Sequence, residues 1–205
     1  VSERAGDGAF RMVLPATWQL FDFDPATQGW SIDRMVRRAL GTSERLEPLR
    51  RDAVRTYREV LGGAAERGAF FGATMADEVE GHPVAAAVLA FLVPMPSGAT
   101  GTDADVDQLL LDLSEPVPGE QLLEVRPADL PVGRSARLRA RMGAGATTPD
   151  GIEPPVEVVR FFTPLPGGAL LVTAFSTPTL YLSEPLGELF DTMADTITVD
   201  GWAAP

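Results

Sequence analysis

"VEVVRFFTPLPGGALLVTAFSTP", residues 156–178, decides the fold class. Two apolar runs rich in β-branched and aromatic residues, 156–165 and 169–178, are separated only by Pro166, Gly167 and Gly168. Parallel neighbours need a crossover of a dozen or more residues, so these two runs pair as an antiparallel hairpin. The same pattern extends outward. "EQLLEVRPADL" (120–130) and "RSARLRARM" (134–142) read as two more strands, and "GAGATTPDGIEPP" (143–155) as a long Gly/Pro-rich connector. Further upstream, "AFFGATMADEV" (69–79) and "HPVAAAVLAFLVP" (82–94) form a hairpin across the turn "EVEGHP". The second of these strands is apolar on both sides, which places it centrally in its sheet.

Between the first strand, "AFRMVL" (9–14, stopped by Pro15), and that hairpin lies a helical segment at about residues 30–68. Ser31 is the expected N-cap of "SIDRMVRRAL", which ends at Gly41. Ser43 is the expected cap of the next helix, with Glu44 and Glu47 in the turn where the helix dipole favours anions. Leu46, Leu49, Ala53, Tyr57, Val60 and Ala64 recur at three- and four-residue spacing and give it one apolar stripe. Gly62 and Gly63 end or kink it. "TDADVDQLLLDLSEP" (102–116) reads as a short capped helix, and Leu186, Leu189, Phe190, Met193 and Ile197 as the stripe of a closing one. The expectation is an α+β fold: a single-domain α/β/α sandwich over 1–205, with a central, mainly antiparallel sheet flanked by helices. A chain of 205 residues fits one domain and buries about 70% of its unfolded surface, so no staple is needed.

Composition excludes whole classes of chemistry. There is no Cys, hence no disulfide, thiolate nucleophile or cysteine metal site. All 17 basic residues are Arg, so neither a Schiff-base lysine nor a P-loop lysine exists. The formal charge of −12 argues against nucleic acid and anionic membranes as partners. The longest apolar run, 84–93, is too short to insert into a bilayer. "VSERAGDGAF" lacks the basic start and apolar stretch of a signal peptide, and a cytoplasmic location is expected.

The charges are sorted along the chain. Residues 34–67 hold nine Arg and five acids, 68–125 hold ten acids and no Arg, and 126–141 hold five Arg and one acid. Arg51, Arg55 and Arg58 fall at helical spacing and make a basic face able to meet an acidic partner, while Asp52 and Glu59 could offset them locally. In "RSARLRARM", strand alternation puts Ala136, Leu138, Ala140 and Met142 on one side and Arg137, Arg139 and Arg141 on the other. That predicts a core face and a watery face. The Arg row then reads first as half of an internal charge match with the acids of 68–125, and second as a binding site.

Catalytic and metal motifs fail on inspection. "DADVD" (103–107) imitates a calcium loop, but Gln108 stands where Gly is needed and Ser114 where the bidentate Glu is needed. One His cannot make a usual zinc site, so no metal or other cofactor is expected. His82 sits in a turn with no nucleophile nearby, and no G-x-S-x-G elbow exists. "GAGATTPDG" leads into "IEPP" rather than a helix, so no amides converge on a phosphate. The aromatic loop "WQLFDFDPATQGW" is the best binding candidate: Trp18, Phe21, Phe23 and Trp30 either line a pocket or interface, or plug the end of the core.

"FRMVLPATW" (10–18) resembles the opening strand and turn of the PsbP-like superfamily. That superfamily includes the photosystem II extrinsic protein, a Ran-binding protein and many small bacterial proteins. "DLPVGRSARLRAR" (129–141) and the 156–178 stretch resemble the middle strands of actinobacterial members, and "LFDTMADTITV" (189–199) their closing helix and last strand. The resemblance implies an antiparallel sheet sandwiched by helices. It carries no catalytic residues, because its members mostly bind proteins or have no assigned role.

The functional expectation is therefore a non-catalytic protein-interaction or accessory module of a bacterial cell, with Arg51, Arg55 and Arg58 as candidate contacts to another protein. The alternative is a small-molecule binder with a pocket near Trp18 and Trp30.

Overall fold

A computed structural model of the chain describes residues 2–5, 8–21, 23, 28–40, 44–95, 101–143, 147–148, 151–152 and 155–200. Strands β1 (Ser2–Ala5), β2 (Gly8–Arg11) and β3 (Gln19–Leu20) precede helix α1 (Gln28–Leu40), a 3₁₀ turn (Glu44–Leu46) and helix α2 (Glu47–Glu66). The hairpin β4 (Ala69–Val79) and β5 (His82–Pro94) follows, then α3 (Asp103–Leu113), β6 (Glu120–Leu130) and β7 (Gly133–Met142). The two-residue strands β8 (Thr147–Thr148) and β9 (Gly151–Ile152) lead to β10 (Val156–Leu165) and β11 (Ala169–Thr177). A 3₁₀ turn (Leu180–Leu182), α4 (Ser183–Ala194) and β12 (Thr198–Asp200) close the order.

The centre is a seven-stranded sheet in the order β3-β4-β5-β11-β10-β7-β6, antiparallel throughout. The expected α+β architecture is what forms. The β10–β11 hairpin holds unbroken register from Leu165↔Ala169 to Glu157↔Thr177. Its turn needs Gly167 and Gly168, whose φ values of +87° and +79° lie in the left-handed region that other residues avoid.

Alternation along the strands feeds two cores. On one face Phe71, Val88, Phe161 and Phe175 pack under α4 and the small sheet β1-β2-β12. Phe175 stacks on Phe190 with ring centres 5.0 Å apart, and Phe10 meets Phe71 at the same spacing. On the opposite face α1 and α2 cover one half of the sheet, burying Ile32, Met35, Val36 and Leu61 against Leu89. There α3 covers the other half, over Leu138, Ala140 and Val158. Complete burial of each such side chain contributes roughly 1.5–3 kcal/mol, so this double layer is the main stabilising feature.

Several boundaries differ from expectation. The first strand ends at Arg11, because the chain then turns to bury Met12 and to donate the Val13 amide to Thr196 Oγ1 at 2.9 Å. Three strands, not one, precede the helical segment, and of these only β3 joins the large sheet. Helix α1 starts at Gln28, so Ser31 is an interior residue and not its cap. Ser43 and Gly41 lie outside the described residues. Helix α2 runs on through Gly62 and Gly63 to Glu66, since packing of Leu61 and Ala64 outweighs two weak helix formers. Ile197 is buried, but beyond the end of α4, in the turn that leads to β12.

Candidate functional site

The two arginine groups of the sequence meet different fates. In β7, neither side of the strand is watery. Ala136, Leu138 and Ala140 are buried beneath α3, but Arg137 is buried too, at 3% exposure, because α4 covers its face. This corrects the expected outward row. Met142, expected in the core, is exposed at the strand end. Arg137 donates Nε to Asp191 Oδ1 at 2.7 Å and a second N–H to Glu124. Arg139 donates Nε to Glu157 Oε1 at 2.7 Å and Nη2 to Glu184 at 2.9 Å. Arg141 reaches the other Glu157 oxygen at 3.2 Å.

Four carboxylates thus answer this row, and only Glu124 comes from the acidic block 68–125. Asp191 and Glu184 come from α4, on the helix side that also presents Gly187, where an added Cβ would lie 4.0 Å from Arg139 Cζ. The missing side chain leaves room for the guanidinium beside the helix. Hydrogen bonding to Glu184 raises the Arg139 pKa above its ordinary value, and the same bond holds the Glu184 carboxyl below its own. The row is an internal clamp between α4 and the sheet, with each guanidinium held by at least one carboxylate of the same chain.

Arg51, Arg55 and Arg58 do come together. With Arg37, Arg50, Val54 and the acids Asp33, Glu47 and Glu59 they line an open cleft of about 390 Å³ between α1 and α2. Helical spacing on α2 supplies four of the guanidinium groups and α1 supplies a fifth from the facing wall. Local acids hold some of them: Arg37 pairs with Asp33 at 2.7 Å, Arg55 with Asp52 at 2.9 Å, and Arg51 with Glu47 at 3.6 Å. Arg50 is buried against Glu47 at 2.6 Å, and that hydrogen bond holds the Glu47 carboxyl below the usual range. Arg58 has no carboxylate within ion-pair reach among the described residues; its guanidinium lies along α1, 3.3 Å from where a Cβ on Gly29 would be. Five Arg against three acids leave the lining positive in a chain of net charge −12.

Among the described residues, the aromatic loop does not assemble into one pocket. Trp18 is a core residue at 7% exposure, packed with Phe10 and Met12. Phe21 and Phe23 are half-buried against α1 and α2, with Phe21 tilted on Tyr57 at 6.2 Å. Trp30 stands outside at 67% exposure with the Arg34 guanidinium 4.6 Å over its ring. Three rings therefore plug the sheet end, and one faces solvent. A second cleft, of about 450 Å³, opens between β3 and α1 and is lined by Trp18, Gln19, Leu20, Ser31, Arg34 and Met35. Arg34 and Arg37 were the residues that sequence patterning passed over; their signal was the i, i+3 spacing on α1.

His82 is exposed at the β4–β5 turn, edge-on to Tyr181 at 5.8 Å, and its side chain makes no hydrogen bond among the described residues. The "DADVD" stretch caps α3: Asp105 Oδ2 accepts the Thr102 amide at 2.8 Å. No group of three or more metal-ligating side chains occurs among the described residues. No helix among them is long and apolar enough to cross a membrane. No protein-family model matches the chain, and no curated protein is significantly similar to it.

Proposed function

We propose that the chain is a non-catalytic protein-interaction module of a bacterial cell that holds an acidic segment of another protein in the α1–α2 cleft. The observation that carries this reading is the convergence of Arg51, Arg55 and Arg58 with Arg37 on one open cleft, with Arg58 lacking a carboxylate among the described residues. Arginine clusters recognise acidic motifs because each planar guanidinium offers a fork of donors to a carboxylate. Because most of the chain's charge is negative, the cleft is a local exception that orients an acidic partner toward it. The resemblance to a superfamily whose members mostly bind proteins or have no assigned role is consistent with the same reading.

The experiment is a binding titration with a fluorescently labelled polyglutamate peptide, read by anisotropy. The account expects saturable binding that weakens as salt is raised. Reversal of the cleft by Arg51→Glu, Arg55→Glu and Arg58→Glu together costs at least about tenfold in affinity, or about 1.4 kcal/mol. These side chains are exposed, so the variant keeps its fold. Equal binding by the variant and the parent overturns the assignment.

A further inference from the structure

We infer that the cleft between β3 and α1 is a separate binding site for a small carboxylic acid with an apolar body. Its walls divide into two chemistries. Trp18, Leu20 and Met35 supply apolar surface, and Arg34 supplies a cation. Arg34 has no carboxylate partner among the described residues, and its guanidinium lies 4.6 Å over the Trp30 ring. A cation–π contact takes up no hydrogen-bond acceptor, so the N–H donors of this guanidinium can take a carboxylate in a bidentate fork. Trp30 thereby holds Arg34 in place at the cleft without lining it.

Trp18 is a wall residue more than nine-tenths buried, and its Nε1–H, with almost no solvent-accessible area, has no hydrogen-bond partner among the described residues. That N–H lies behind the cleft surface, so it reports on the filling of the cleft without contacting the ligand. A ligand carboxylate at Arg34, with apolar carbon against Trp18, Leu20 and Met35, accounts for the cation and the apolar lining together. The cleft volume of about 450 Å³ falls in the range of small-molecule sites. This site is distinct from the α1–α2 cleft: the residues lining the two do not overlap.

The test uses phenylbutyrate as the probe, with phenylbutanol and butyrate as the two controls, each lacking one half of the recognised chemistry. Binding is followed by the NMR signal of the Trp18 indole N–H and by titration calorimetry. The inference expects a saturable shift of that signal with phenylbutyrate at concentrations up to about 10 mM, and binding at least about tenfold weaker for both controls. Arg34→Gln, at an exposed position, weakens phenylbutyrate binding by at least about tenfold while leaving polyglutamate capture by the other cleft intact. No saturable shift, equal binding of phenylbutanol, or full binding by Arg34→Gln each overturns the inference.

Discussion

Replacing Glu157 by Gln tests whether the β7 arginines are held internally. Glu157 is 2% exposed and accepts Nε–H donors from Arg139 at 2.7 Å and from Arg141 at 3.2 Å. Gln keeps one acceptor oxygen, removes the charge and turns an N–H₂ group toward one of the two guanidinium groups. Breaking a buried pair by removing one partner costs about 3–5 kcal/mol. Arg139 retains Glu184, and Arg141 is partly solvated at 35% exposure, so the lower end, about 3 kcal/mol, applies. A domain with roughly 5–15 kcal/mol of stability survives that loss, so the variant remains measurable. For a chain of this length the melting temperature should fall by about 6–12 °C. The urea midpoint should fall by about 1–1.5 M at an m-value of about 2–3 kcal/mol/M. Circular dichroism on urea and thermal unfolding reads both. A midpoint that moves by less than about 0.3 M, under about 1 kcal/mol, would refute the buried-clamp reasoning.

Three further outcomes follow from named contacts. Because Arg139 depresses the folded-state pKa of Glu184, that group contributes stability above its unfolded value of 4.5 and loses it as pH falls through the lower folded value. Melting temperature measured against pH should therefore decline below about pH 4.5, and less steeply in Glu184→Gln. Gly72→Ala places a Cβ 2.8 Å from both Leu89 Cδ2 and Phe21 Cδ2, so overpacking should cost about 1–3 kcal/mol in urea unfolding. Gly62→Ala meets nothing within 4 Å in the middle of α2 and should raise stability by about 0.8–1 kcal/mol in the same assay.

Much of the sheet was legible because its strands alternate and its turns are short. The 156–178 hairpin and the 69–94 hairpin form as their spacing and Gly-containing turns require. The β7 alternation placed the arginines on the correct common side, yet not in water. A period of two separates faces and cannot say what covers them, and α4, more than forty residues later, covers this one. The partners Glu157, Glu184 and Asp191 were illegible for the same reason: they are non-local. In the candidate site, helical spacing brought Arg51, Arg55 and Arg58 to one face, but the opposite wall with Arg37 needed the α1–α2 packing to be known. Proximity in sequence also misled. Trp18, Phe21, Phe23 and Trp30 lie within 13 residues, yet the strand pair at β3 sends them to different surroundings.

The central claim is that one arginine set is closed by internal acids and the other is open to a partner. Nitrogen-15 NMR of the arginine Nε–H groups, during titration with the polyglutamate peptide, tests both halves at once. The account predicts saturable shifts for Arg51, Arg55 and Arg58, with Arg137, Arg139 and Arg141 unmoved. Shifts in the β7 row, or none in the α2 set at saturating peptide, would contradict it.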